Sequence, residues 1–134
     1  MAVPMIITGR GVTRVGERED GLLGSVDLFA TIASLAGTNT DEFNDSKSFA
    51  HLLTDATTSR REYAYAEIKN EDRSDWTIRN DRYKLVERMA TGEAPAQELY
   101  DLEADPFEQN NRVNDIDLAA TLIELQAQAA LIRQ

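Results

Sequence analysis

Residues 62–68 read EYAYAEI, residues 76–79 read WTIR and residues 83–87 read YKLVE, and these three runs decide the fold. In the first, Tyr63, Tyr65 and Glu67 alternate with Ala64, Ala66 and Ile68. A period of two places the two sets on opposite faces of a strand. The second and third runs are separated only by Asn80-Asp81-Arg82, a short connection that joins them as a hairpin. Ala90 to Ala96 is a loop holding Gly92 and Pro95. A further strand is expected from about Gln97 to Leu102, stopping before the turn signal Asp105-Pro106. Strands of this kind need one face covered. From Asp115 to Ile132, Leu118, Leu122, Leu125, Ala129 and Ile132 recur at steps of four and three, an apolar stripe on a helix that can supply the cover.

The pattern upstream is different. Val3 to Thr8 is a short continuous apolar run and is expected to be a buried strand, with Pro4 tolerated near its start or at a sheet edge. Glycines punctuate the charged stretch Arg14 to Asp20, which reads as an exposed loop or hairpin. No Lys-Ser or Lys-Thr follows them, so a phosphate-binding loop is not expected. Ser25 to Ala36 is a helix by the spacing of Leu28, Ile32 and Leu35, with Phe29 and Ala36 widening the apolar face. Ser25 or Asp27 is the expected N-cap, and Gly37 the residue that ends it. Ser48 to Thr54 reads as one or two further helical turns, and Thr54 to Arg61 as a polar, exposed stretch. The first half therefore looks like the torn edge of something larger.

The chain has 134 residues, 42% hydrophobic and 28% charged, a composition that suits a folded domain. Its formal charge of −10 is spread along the chain and repels phosphate backbones, which argues against a nucleic-acid partner. The apolar runs are too short to span a bilayer, so no membrane partner is expected. Residues 1–7 have neither the basic region nor the apolar length of a signal peptide. Cysteine is absent, which removes disulfide and thiolate chemistry and leaves the compartment open.

Several phrases, in order, resemble the sulfatases of the alkaline-phosphatase-like superfamily. Val3-Pro4-Met5-Ile6-Ile7 is similar to the family's "RVP(L/F)I" strand. SVDLFATIASLAG (25–37) is similar to its "VDLxPTLLxLAG" helix, and DSKSFAHLL (45–53) to "DGxSLxPLL". Trp76-Thr77-Ile78-Arg79 with Tyr83-Lys84-Leu85 resembles the "R…YKL" hairpin. ELYDLEADPFE (98–108) matches "ELYDLxxDPxE", the most specific of these phrases, and Asn111 stands at the Asn that follows it. Ala30 replaces a usual Pro, Ser46 a usual Gly and Arg112 a usual Leu; these are expected to be surface or turn adjustments.

The resemblance implies an α+β fold. A small antiparallel sheet of about four strands would pack against a C-terminal amphipathic helix, preceded by a strand and helix left from a larger α/β sulfatase core. Residues 1–60 would be the remnant of that core, and residues 61–134 the sheet-and-helix subdomain. It also implies what the intact enzyme would use: a formylglycine made from Cys or Ser in a C/S-x-P-x-R motif, and calcium held by Asp and Asn oxygens. Neither that motif nor a nucleophile–base–metal set occurs in this chain. The expectation is that it is inactive alone, with no catalytic, cofactor-binding or metal residues of its own, and that the family's equivalents lie before residue 1. Intact family members are often exported or periplasmic.

The tempting residues have plainer readings. His51, the only imidazole, falls at the Pro of "SLxPLL" and reads as structural. Asp101, Glu103, Asp105 and Glu108 offer oxygens for calcium but lack an EF-hand's glycine-centred loop; Asp105-Pro106 makes a turn that Glu108 is expected to cap. Asp41, Glu42 and Asp45 read as a solvated loop. Tyr63, Tyr65, Trp76, Tyr83 and Tyr100 are expected to pack between sheet and helix, with a sugar platform as the functional alternative. Three functions follow: the C-terminal segment of a sulfatase-like hydrolase, a stand-alone noncatalytic binding or oligomerisation module, or part of a phosphate or phosphonate ester hydrolase. The expected partner is a missing N-terminal catalytic part, or a second copy meeting the exposed edge.

Overall fold

The computed structural model describes residues 3–38, 42–56 and 61–133. Asp41, and residues 57–60 of the polar stretch, lie outside the described residues. The chain divides into two compact units, Met1–Arg61 and Glu62–Gln134.

In the second unit, β3 (Ala64–Lys69), β4 (Arg73–Arg79), β5 (Tyr83–Ala90) and β6 (Ala96–Asp101) form an antiparallel meander in the order β3-β4-β5-β6. Ile78 lies opposite Tyr65 and Leu85, and Leu85 opposite Leu99, so one row of side chains crosses the sheet. Against this row lies α2 (Ala119–Ile132), entered through a 3-10 turn at Ile116–Leu118. Trp76, Ile78, Leu85, Leu99, Leu118, Leu125 and Ala129 make the core, with Tyr63, Tyr65, Tyr83, Val113 and Leu122 packed at its margin. The stripe thus holds at Leu118, Leu125 and Ala129. Ile132, at the last helical turn, is 42% exposed instead.

The β4–β5 hairpin is closed by Asn80. Its amide donates to Tyr83 O at 3.0 Å, and its Oδ1 accepts from the amides of Arg82 and Tyr83 at 3.0 and 2.7 Å. An Asn side chain that mimics a backbone turn is what this short connection needs. Tyr100 departs from expectation. It neighbours Leu99 on β6, so the strand period directs it to the face away from α2. There it is buried, with its hydroxyl donating to Glu98.

In the first unit, α1 spans Asp27–Leu35. It ends at Gly37, whose φ of +85° suits glycine, with Gly37 N donating to Ser34 O and Thr38 N to Ala33 O. The expected N-cap is corrected. Among the described residues no side chain caps this end, and Asp27 turns back to accept from Gly24 N at 2.6 Å. A ribbon of β1 (Glu42–Phe43) and β2 (Ser46–Lys47), not expected from the sequence, packs beside the helix, and Ser46 Oγ accepts from Ala30 N. A 3-10 turn at Ala50–Leu53 follows, as the sequence suggested.

A further expectation fails. Val3 to Thr8 is not a strand: it pairs with no described strand, and Ile6 is 92% exposed. An apolar run becomes a strand only when a neighbour takes its amides and carbonyls. The buried face of α1 is Asp27, Ala30 and Thr31, whereas Leu28, Phe29, Ile32 and Leu35 face solvent.

Candidate functional site

The ELYDLEADPFE phrase is where the most specific sequence signal meets the densest set of polar contacts. Tyr100 and Asp101 end β6, and the chain then turns twice to reach Asn111. Asp101 is 1% exposed, and its carboxylate takes Arg82 Nη2 on Oδ2 at 2.8 Å and Arg82 Nε on both oxygens. Its Oδ1 also accepts from the amides of Glu103 and Ala104, and Arg112 Nη1 stands 3.8 Å from Oδ2. The Arg82 hydrogen bonds hold the Asp101 carboxyl below its ordinary 3.8, although burial pushes the other way. Arg82 itself lies 5.0 Å over the Tyr83 ring.

Each later acid has a separate task. Asp105 Oδ2 accepts from Gln109 N and Asn110 N at 2.7 and 2.8 Å, so Asp105, not Glu108, caps the turn. Glu108 adopts a φ of 56° and receives Lys84 Nζ at 2.5 Å. Asn111 works as a piece of strand: its Oδ1 accepts from Leu99 N at 3.0 Å, its Nδ2 donates to Gln97 O, and Arg112 N donates to Leu99 O. The motif residues are therefore joints of a scaffold.

Calcium does not fit this phrase. The oxygens of Asp101 and Asp105 already accept from arginine or backbone donors, Glu108 holds Lys84, and Glu103 lies 3.3 Å from Arg82. Among the described residues no group of three or more His, Cys, Asp or Glu side chains is arranged to hold a metal ion.

The other sequence candidates disperse. His51 lies half-buried in the 3-10 turn, where its carbonyl accepts from Thr54 N and Asp55 N. Glu42 is in β1, and the Asp45 carbonyl accepts from Arg61 Nη2 at 2.6 Å. Trp76 is buried with Nε1 donating to Glu87, so it offers no open platform for a sugar. Tyr63 and Tyr83 line a shallow cleft with Glu62, Asn80, Asp81 and Arg82. On the sheet face away from α2, Arg73 and Arg88 line another, and both are ion-paired, to Asp75 and Glu98.

The sequence reading missed the polar centre of the first unit. Asp27, 1% exposed, binds Arg61 through both oxygens and also accepts from Gly24 N and Lys47 N. The one signal available was an acid inside an otherwise apolar helix phrase.

This architecture, a four-stranded meander roofed by one helix and closed by the LYDLxxDPxE turns, is that of a sulfatase C-terminal region. The chain matches the family described as N-sulphoglucosamine sulphohydrolase, C-terminal, over residues 1–134, and it belongs to that family. No curated protein matches it. Among solved structures it is similar to a 2-O GAG sulfatase, at 26% identity and a TM-score of 0.72 over 90% of this chain and 27% of that one. It is also similar to a protein solved with its substrate D-glucosamine-2-N,6-O-disulfate, at 24% identity and a TM-score of 0.62 over 78% of this chain and 22% of that one. A phosphonate monoester hydrolase of Agrobacterium radiobacter is similar at 24% identity and a TM-score of 0.61, over 80% of this chain and 24% of that one. The last two likenesses are of fold alone. The chain spans about a quarter of the length of these structures. Among the described residues no helix is long and apolar enough to cross a membrane.

Proposed function

We propose that this chain serves as the C-terminal scaffold of a sulfuric ester hydrolase, and that the reaction belongs to an N-terminal catalytic part joined to it or bound by it. The observation that carries this reading is the family match over residues 1–134. The contact pattern agrees: Asp101, Asp105, Glu108 and Asn111 of the diagnostic phrase are engaged in turns and strand edges, which suits a support rather than a reaction centre. The formylglycine and the calcium that the family implies would come with the catalytic part. A sulfated sugar is the substrate class suggested by the 2-O GAG sulfatase likeness. A second reading, in which the ester is a phosphonate, needs no other fold, since a phosphonate monoester hydrolase shares it.

Assay of the purified chain with 4-nitrophenyl sulfate and with a phosphonate monoester, each with and without calcium, tests the reading. No turnover above buffer is expected. Turnover that survives repurification and disappears on His51→Ala would overturn the scaffold role.

A further inference from the structure

We infer that Glu124 and Gln126 form a rotational lock, which selects which of two opposite apolar faces α2 lays on the sheet. The face against the sheet is Leu118, Leu122, Leu125 and Ala129. A second stripe, Ile116, Ala120, Ile123, Ala127 and Leu131, repeats at steps of four, three, four and four. At about 100° per residue the two stripes lie about half a turn apart. The second points away from the sheet, with Ile116, Ile123 and Leu131 at 90, 65 and 62% exposure. Each stripe offers three large aliphatic side chains, so apolar burial by itself leaves the rotation of α2 underdetermined.

The difference lies on the two flanks. Glu124 and Gln126 stand about 100° to either side of Leu125. Glu124 Oε1 accepts from the Tyr63 hydroxyl at 2.7 Å, and Gln126 Nε2 donates to Gln97 Oε1 at 3.0 Å. Tyr63 immediately precedes β3 and Gln97 lies on β6, the two outer strands of the sheet, so the helix is pinned at both margins. The Gln97 amide continues to Glu87 Oε2 at 2.8 Å, and Glu87 Oε1 accepts from Trp76 Nε1 at 2.8 Å, which ties this flank to the core. A half-turn of α2 about its axis would exchange the flanks. Glu124 would then come to the side of Glu87, carboxylate toward carboxylate, and Tyr63 would lose its charged acceptor. Directional bonds and like-charge repulsion discriminate where apolar area does not. A preceding part of the protein that covered the outer stripe would leave the same need in place, because either rotation would then bury an apolar face on both sides.

Trp76 is the single tryptophan, so one indole N–H resonance in a two-dimensional NMR spectrum reports the packing. One sharp resonance is expected for the wild-type chain, and more than one would overturn the inference. Glu124→Leu with Gln126→Leu removes both bonds, and the resonance should split or broaden while far-UV circular dichroism is unchanged. Adding Ile123→Lys makes the outer stripe polar, and a single sharp resonance should return. Where the leucine pair does not fold, Glu124→Ala with Gln126→Ala takes its place with the same expectation. A single sharp resonance in a folded double variant overturns the lock. So does a split that Ile123→Lys leaves in place. Loss of the fold in both double variants overturns it too, since the pair would then hold the helix on rather than choose its face.

Discussion

Arg61 closes on Asp27 from 34 positions away, with Nη2 at 2.5 Å from Oδ1 and Nε at 2.9 Å from Oδ2. The pair ties the start of α1 to the last residue of the first unit, and the Lys47 amide adds β2. Burial works against the Asp27 charge. Arg61 and the amides of Lys47 and Gly24 outweigh it, and the carboxyl sits below its ordinary 3.8. A depressed folded pKa contributes stability that is complete above the unfolded value and is lost as pH falls through the folded one. Exchange protection of the Gly24 and Lys47 amides is therefore expected to hold from pH 7 to about pH 5 and to fall below about pH 4. Equal protection at acid and neutral pH would show that the ionised carboxylate is not what orders them. Asp27→Ala, which removes the buried carboxylate that Arg61, Gly24 N and Lys47 N share, is expected to destabilise the first unit by about 3 kcal/mol.

Asn111 yields a second test. Its Oδ1 is the acceptor for Leu99 N at the outer edge of β6, and Leu99 is fully buried. Asn111→Ala leaves that amide without its partner, a loss of about 1–3 kcal/mol. Hydrogen exchange at Leu99 should accelerate selectively, while the amides that join β4 to β5 keep their protection. Uniform acceleration across the sheet would mean that Asn111 supports the whole unit rather than one edge.

The second unit was legible because its signals are local. Alternation in EYAYAEI and the three-and-four spacing of Leu118, Leu122, Leu125 and Ala129 each act within a few residues, and the hairpin needs only Asn80. The task of Asp101 was not legible, because its partner Arg82 lies in the β4–β5 hairpin connection, 19 positions away. Helix α1 shows the opposite limit. Its apolar spacing identified the helix, but spacing measures which face avoids water and not whether this chain covers it. The face that is covered, Asp27, Ala30 and Thr31, is held by hydrogen bonds from the amides of Lys47 and Phe49 and by one that Ala30 N donates to Ser46 Oγ, and the placement of these partners depends on a ribbon that short polar sequence did not announce. The same reasoning applies to Val3 to Thr8, where hydrophobicity suggested a strand and no strand among the described residues pairs with it, so that it is exposed.

The core of the second unit can be probed through Trp76, the single tryptophan and a member of that core. Leu125 is fully buried against the sheet, whereas Ile123, two positions earlier, is 65% exposed. Leu125→Ala removes atoms from a packed interior and is expected to cost about 2–5 kcal/mol. Ile123→Ala should stay within about 0.5 kcal/mol. Denaturant unfolding followed by tryptophan fluorescence measures both, and comparable midpoints would place α2 in the wrong rotation about its axis.

The tyrosines give a prediction at alkaline pH. The Tyr63 hydroxyl donates to Glu124 Oε1 at 2.7 Å, and this bond, with burial adding to it, pushes its pKa up to about 12. Burial comes first for Tyr65, followed by its 2.7 Å bond to Glu67, and it too rises to about 12. Burial and Glu98 also raise Tyr100. Because the folded values of Tyr63 and Tyr65 exceed the ordinary 10.0, these two phenols contribute stability that is complete below pH 10 and is lost as pH rises through about 12. Phenolate absorbance of the folded protein should show the steps assigned by Tyr63→Phe and Tyr65→Phe near pH 12, not near pH 10. Glu124→Gln removes the charged acceptor from Tyr63 alone, so the Tyr63 step should move down toward 10.0 while that of Tyr65 stays in place. If both steps stay, Glu124 does not govern Tyr63. If both move, the two hydroxyls share one network and the separate assignments to Glu124 and Glu67 are wrong.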